Sequence, residues 1–296
     1  MKKGKDTIFG YIFLSPSIVI LLFIFGYQII RLLWFSLVKW QGYIPQNDFN
    51  NFEFYLSLLS KNNLLLPSLL RSFLIVIIVN IVLILLVIFI VHNLYRKVFG
   101  WRFYQGIIFI TSIIPLVVSS IVWTFLLNLN GPVNTLLRIL NLNFLIVDWF
   151  GNGRTVLLAL CWIIIWRELG FATIMFLAQL SGADKNVYEA AMIDGASELQ
   201  LIRYVTVPYL IKIIKLYSIL TTIFILNNLF GVIQVTTSGG PGFSSTVLEY
   251  YIYYLTFRAG KIGMGATVAV ILFLITLILI VIYIRYSSKK RSEAII

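Results

Sequence analysis

Cys161 and His92 are the only cysteine and the only histidine among 296 residues. One cysteine excludes an intrachain disulfide, and Cys161, set in an apolar run, reads as a small buried hydrophobe. One histidine excludes the paired H-E-x-x-H zinc site, and no G-x-S-x-G nucleophile stands in for it. His92, at the end of an apolar run, would be a catalytic base without partners, so the sequence reads as no enzyme and offers no metal site. Charge is scarce too: 11% of the residues are charged, with 11 acidic against 23 basic, a net charge of +12. That excess fits Lys and Arg gathered at the cytoplasmic ends of membrane spans, and not a nucleic-acid surface.

What is abundant is apolar length. Hydrophobic residues make up 60% of the chain and aromatic residues 16%, and the mean hydropathy is +0.97. About 20 apolar residues cross a bilayer as a helix. On that measure the chain predicts an all-α polytopic membrane protein with one transmembrane domain over residues 1–296 and six spans. They run from Tyr11 to Leu33, Leu69 to His92, Phe103 to Leu127, Thr155 to Leu180, Tyr209 to Phe230 and Met264 to Ile284. The first follows Lys2, Lys3 and Lys5, but it is too long for a signal peptide and lacks a clear small-residue cleavage site. Pro115 lies inside the third span and predicts a kink. Trp34 and Trp101 sit at span ends, where an indole is favoured as an interfacial anchor.

Basic residues set the orientation. One side collects Lys2, Lys3 and Lys5, then Arg96, Lys97 and Arg102, then Arg285, Lys289, Lys290 and Arg291. The longer connections on the other side carry only Lys39 with Lys61, Arg138 with Arg154, and Arg258 with Lys261. The positive-inside rule places both termini and the 181–208 connection in the cytoplasm. Of the outer connections, Val38 to Ser68 is polar and rich in Asn. The segment Asn128 to Arg154 holds an Asn130-Gly131-Pro132 turn signal and then an apolar stretch from Leu136 to Leu140, expected as a short helix near the outer surface.

The 181–208 connection is the polar insert around which the spans are arranged. Asp184 can cap a short helix through Glu189 to Ile193, with Ala190 and Ala191 as strong helix formers that allow close approach of another surface. Gly195 suits a turn at positive φ, and Ser197 stands three residues before Gln200, the spacing of a capping box. Pro208 is expected to limit that second helix, because Thr206 and Val207 lose easy access to helical continuation.

Other residues leave alternatives open. Membrane-embedded charge is costly, so Arg167 and Glu168 in the fourth span either face a watered path and meet solute or form a structural pair with neighbouring spans. Asn227 and Asn228 either offer amides to sugar hydroxyls or hold helices together. The run Thr237-Ser238-Gly239-Gly240-Pro241-Gly242 lacks the Lys-Ser/Thr that completes a phosphate loop and reads as a tight turn beside a binding partner. Tyr250, Tyr251, Tyr253 and Tyr254 line a gate or sit at the interface.

Glu189-Ala190-Ala191, Asp194-Gly195-Ala196 and Pro208 together resemble the EAA loop of the permeases of binding-protein-dependent ABC importers. The resemblance extends over nearly the whole chain, toward the carbohydrate branch of maltose and glycerol-phosphate type. It is carried by Ser15-Pro16 and Ser36, by Pro115, Trp123, Gly131 and Asn134, by Trp166, Gly170, Phe171, Leu177-Ala178 and Leu180, and by Thr237 to Gly242 with the tyrosines that follow. The sequence departs from that pattern at Arg71-Ser72, where the family often has Asn-Thr, and at Arg167-Glu168, which is more charged than usual.

The resemblance implies a type I importer permease fold and a subunit for import of a sugar or oligosaccharide. Glu189, Ala190, Ala191, Asp194, Gly195, Ala196 and Pro208 would form the coupling element that meets the ATPase. Trp123, Trp166, Arg167, Glu168, Asn227 and Asn228 would line the solute path. Gly239, Gly240, Pro241 and Gly242 would lie near an extracytoplasmic solute-binding protein. Implied partners are a second, different permease and two ATPase subunits, in the cell membrane. ATP and Mg would be held by the ATPases and no cofactor by this chain. A permease for a non-sugar solute, or a secondary transporter, is the alternative.

Overall fold

The computed structural model describes residues 2–40, 45–59 and 64–293, with the side chains of residues 2–10, 12, 45–47 and 286–293 left aside. Lys61 and the side chains of Lys2, Lys3, Lys5, Lys289, Lys290 and Arg291 therefore lie outside the described residues. Among the described residues the elements are helices and one antiparallel strand pair: α1 (Lys2–Leu21), α2 (Tyr27–Leu37), β1 (Val38–Trp40), β2 (Pro45–Phe49), α3 (Glu53–Leu58), α4 (Leu65–Tyr95), α5 (Trp101–Ile113), α6 (Leu116–Leu126), α7 (Pro132–Ile139), α8 (Val156–Leu180), α9 (Lys185–Ile193), α10 (Glu198–Leu201), α11 (Val207–Asn227), α12 (Phe230–Thr236), α13 (Leu248–Tyr253) and α14 (Ile262–Glu293). Among the described residues five helices are long and apolar enough to cross a membrane, or six if the bent pair α5–α6 is one span.

The chain divides into two compact units. One joins the described residues up to Leu65 with Tyr251–Ile275; the other joins Leu66–Tyr250 with the chain from Thr276 onward.

The first unit is tied at Ser36. This buried side chain donates to the Leu33 carbonyl at 2.7 Å, and its hydroxyl accepts from Tyr55 at 2.9 Å. Its carbonyl accepts from Asn50 Nδ2 at 3.0 Å and from Thr267 Oγ1 at 3.3 Å. Gly263 closes the same knot, since a Cβ there would sit 2.6 Å from the Phe54 ring and 2.7 Å from the Val38 carbonyl. The Asn-rich connection from Val38 to Ser68 thus carries structure of its own: β1 pairs antiparallel with β2, and α3 follows.

The second unit is built on α8, whose residues are buried on most sides, from Val156 to Leu180. It packs against α5, α6 and α11, and α12 packs against α6. Gly170 lets α8 approach α5 closely: a Cβ there would meet the Ile108 carbonyl at 2.6 Å and Thr111 Oγ1 at 2.9 Å. Small residues at such contacts are the usual means of close helix packing in a membrane, where burial of apolar area gives no drive.

Three expectations are corrected here. The kink at Pro115 is a break: α5 and α6 meet at 105°. Proline disfavours the helical region for the residue before it. Ile114 is accordingly extended at ψ 126° and Pro115 at ψ 139°, and helix resumes only at Leu116. Pro132 opens α7, so this short helix starts four residues before the apolar stretch at Leu136. A proline at the first helical turn needs no N–H there. The fifth apolar stretch does not reach Phe230 as one helix; α11 ends at Asn227, and Asn228 leaves helical geometry at φ −136°.

Candidate functional site

Two long apolar helices flank the polar insert, and its short helix α9 has both ends closed by its own residues. Asp184 accepts from the Asn186 N–H at 2.9 Å. At the other end Gly195 N–H reaches the Met192 carbonyl at 3.1 Å and Ala196 N–H the Ala191 carbonyl at 3.0 Å, with Gly195 at φ +81°. That pair of bonds is the glycine-dependent C-terminal cap that satisfies the last carbonyls of a helix. Ser197 and Gln200 complete the reciprocal box: Gln200 Oε1 accepts from Ser197 N at 2.7 Å, and Ser197 Oγ accepts from Gln200 N at 3.4 Å.

Between these caps Glu189, Ala190, Asp194 and Gly195 are exposed, and Ala191 and Ala196 half-buried. Ile193 is 86% exposed and Leu199 74% exposed, so the insert offers apolar as well as acidic surface.

Pro208 does not limit the second helix. Thr206 (φ −66°, ψ −53°) and Val207 (φ −63°, ψ −47°) are both helical, and α10 runs through a π-helical turn, Ile202–Thr206, into α11. The widened turn, in which Val207 N–H reaches back to the Ile202 carbonyl, takes up the proline: its missing N–H and its ring fall where the regular ladder is already interrupted.

Aromatic and polar side chains pin the insert from beneath. Tyr95 donates to the Ala183 carbonyl at 3.2 Å, and Tyr209 donates to that of Gly182. The Tyr188 ring, buried, lies 5.1 Å from that of Tyr95. His92, also buried, contacts Thr206 and Glu198, and Arg96 pairs with Glu198. Sequence reading passed over His92 because it asked only about catalysis. Its position one turn before Arg96, at the end of a span and facing a polar insert, was the available signal.

The embedded charges of α8 meet each other. Arg167 donates to Glu168 Oε1, and Tyr217 donates to Glu168 Oε2 at 3.2 Å. Adjacent helix positions point about 100° apart, yet the long guanidinium arm closes that gap. Arg167 also lies 5.6 Å from the centre of the Phe224 ring, and its Nε has no hydrogen-bond partner among the described residues. Asn228 Nδ2 donates to the Phe224 carbonyl at 3.1 Å and Asn227 Nδ2 to that of Ile223 at 2.9 Å, both amides remaining exposed.

Trp123 stands edge-on to Trp166 at 5.8 Å and to Trp162 at 5.5 Å. With Trp149 and Leu127 among others, Trp123 and Trp162 line an apolar cavity of about 370 Å³. Trp149 and Trp162 were not singled out in the sequence, because the fold and not their spacing brings them beside Trp123.

The glycine-rich run is folded against its own chain. Gly239, at φ +84°, admits no side chain, since a Cβ would lie 2.7 Å from the Tyr250 ring and 2.8 Å from Thr246 Oγ1. Thr246 donates to the Gly239 carbonyl at 3.2 Å, and the hydroxyls of Thr237 and Ser245 are 2.7 Å apart. Ser72 Oγ accepts from Leu248 N–H at 3.0 Å, and Arg71 donates to the Thr246 carbonyl at 3.4 Å. The departure at Arg71-Ser72 thus falls on the support of this loop. Gly242 and Phe243 face outward. No group of three or more acidic, histidine or cysteine side chains suited to a metal ion occurs among the described residues.

A long apolar scaffold, embedded charge and an exposed polar insert define a membrane transport component. The chain belongs to the family of binding-protein-dependent transport system inner membrane components, whose model matches residues 94–292. Such proteins are permease subunits of ABC importers, integral to the inner membrane, and are not enzymes. The chain is 28% identical to a probable ABC transporter permease protein of Pyrococcus horikoshii, PH1215, over 98% of this chain and 99% of that one. It is 26% identical to the trehalose/maltose transport system permease protein MalF of Thermococcus litoralis, over 98% and 97%. Its fold matches a chain of a bacterial ABC transporter involved in import of the acidic polysaccharide alginate, with a TM-score of 0.76 at 21% identity, covering 97% of this chain and 98% of that one.

Proposed function

We propose that this chain is the permease of an ATP-driven importer for a sugar or oligosaccharide, and that α9 with the turn after it is where an ATPase subunit docks. The observation that carries the reading is the exposed face of Glu189, Ala190, Asp194 and Gly195 on a helix closed at both ends and flanked by α8 and α11. A docking element must be rigid to transmit force, and these caps make it so. Glu189 offers charge to the partner, Ala190 and Ala191 allow its surface to come close, and Gly195 shapes the turn. Pro208 lies beyond the docking face, at the root of α11.

The sugar class rests on the resemblance and on the trehalose/maltose relative. The path residues would be Trp123 and Trp166 as stacking surfaces and Asn227 and Asn228 as hydrogen-bond donors and acceptors. Arg167 and Glu168, already paired, add polarity without net charge, which suits an uncharged solute. Both termini lie in the cytoplasm, and the Gly239–Gly242 turn faces the solute-binding protein. A second permease completes the path, and two ATPases hold ATP and Mg. ATP-driven closure of the ATPases moves α9, the spans rock, and the path opens outward and then back.

The test is ATPase activity of the reconstituted complex, with its binding protein and with maltose and trehalose as first probes. Glu189→Ala and Gly195→Asp are expected to lower stimulated activity at least tenfold, about 1.4 kcal/mol of docking energy, while the chain still folds. Parental stimulation in both variants would remove the docking assignment.

A further inference from the structure

The polar groups beneath α9 form one continuous chain of contacts. Glu198 Oε2 lies 3.1 Å from His92 Nε2. An ionised carboxylate only accepts, so His92 Nε2 carries the proton shared with Glu198. The Thr206 hydroxyl lies 2.8 Å from His92 Nδ1. The same Thr206 oxygen is 2.7 Å from the Tyr188 hydroxyl. Arg96, four residues after His92 and just past the end of α4, holds the other Glu198 oxygen. Tyr188, Thr206 and His92 are 4%, 0% and 1% exposed, so no water replaces a lost partner. A buried hydrogen-bonding group left unpaired is costly, and linked bonds reinforce one another.

We infer that Tyr188, Thr206, His92 and Glu198 are positioning residues forming a relay that locks α9 to the end of α4 and the root of α11. Resting on the docking assignment for α9, this adds a rule for how motion travels: the insert does not hinge alone but carries α4 with it. A displacement of α9 by about 1 Å would take the Tyr188–Thr206 contact out of hydrogen-bond range, so the relay resists slip between these elements. The π-helical turn sets Thr206 between the two rings, and the side chains of Tyr95 and Tyr209 hold the backbone just before α9.

Spin labels at Asn186→Cys on α9 and Lys97→Cys after α4, in a Cys161→Ala background, test the relay in the full complex in nanodiscs. The distance is read without nucleotide and after trapping with ATP and vanadate. The parent is expected to keep one distance in both states. Thr206→Val, which keeps shape and loses the hydroxyl, and Tyr188→Phe, which keeps the ring, are expected to shift by roughly 3 Å or more on trapping. Thr206→Ser is expected to behave as the parent. A parental distance that changes as much, a Thr206→Val distance that does not, or a Thr206→Ser complex that shifts like Thr206→Val would overturn the relay. Capture of the ATPase by Glu189→Ala judges docking separately: retained capture removes the docking assignment, whereas the relay stands or falls on the distances alone.

Discussion

Single atoms decide how closely α8 can approach α5. Gly170 has the Ile108 carbonyl where a Cβ would sit, at 2.6 Å, whereas a Cβ at Gly106 on the facing helix meets nothing within 4 Å. Gly170→Ala is therefore expected to force α8 and α5 apart and cost about 1–3 kcal/mol, the range for overpacking. Gly106→Ala should be neutral or slightly stabilising, because it removes a helix-destabilising residue. Thermal unfolding in detergent orders the two, and equal midpoints would mean that the helices do not depend on this approach. The sequence offered Gly170 only through a resemblance; that its neighbour would be a carbonyl depends on which face of α5 turns toward α8, which no local spacing records. Gly195 was legible for the opposite reason. Its role is local, since the cap it forms involves only the four residues before it and the one after. Arg167 and Glu168 lie between these cases: their cost in a membrane was plain from the sequence, but the partner of each was the other, by way of rotamers that a 100° spacing did not predict.

At the scale of elements, ends set by side-chain caps were readable and interruptions were not. Asp184, Ser197 and Gln200 marked the insert because their hydrogen bonds span two or three residues. The π-helical turns at Leu22–Gly26, Ile202–Thr206 and Tyr254–Arg258 leave no such mark, and so Pro208 was read as a stop when it sits in a continuing helix. The start of α12 was invisible for a different reason. Its cap comes from 19 residues away: Glu249 Oε2 accepts from Phe230 N–H at 2.8 Å and from Leu229 N–H at 2.6 Å. Burial pushes the Glu249 carboxyl above its usual range, and these two bonds pull only partly back. The folded chain therefore holds this proton to higher pH than the unfolded chain does. By linkage its contribution to stability falls as pH rises from the ordinary carboxylate range through the raised value. Melting of the detergent-solubilised protein between about pH 4 and 7 should show this slope, and Glu249→Gln, which cannot ionise, should flatten it. A variant with the parental slope would mean that Glu249 is not the group responsible.

For the whole molecule the strongest legible quantity is the distribution of charge. Basic residues gather in Arg96, Lys97 and Arg102 and at the two ends of the chain, and the insert from Ser181 to Pro208 belongs to the same side if the spans alternate. The break at 105° between α5 and α6 makes that count the point to test, because a re-entrant pair would reverse everything that follows. The chain is well suited to the measurement. Cys161 is 2% exposed and is the single native thiol, so an impermeant maleimide should leave the parent unlabelled. Asn186 and Ser238 are both exposed, one on α9 and one in the glycine-rich turn. In right-side-out vesicles Ser238→Cys should label and Asn186→Cys should not; in inverted vesicles the pattern should exchange. The reverse pattern, Asn186→Cys labelled and Ser238→Cys silent in right-side-out vesicles, would show that the pair α5–α6 does not cross. It would also leave both ligands, the ATPase at α9 and the binding protein at the glycine-rich turn, facing the wrong compartments. Exchange in the expected sense would place α9 with ATP and the turn with the incoming solute, the one arrangement in which an exposed, doubly capped helix between two spans can receive force on one face of the membrane and open a path toward the other.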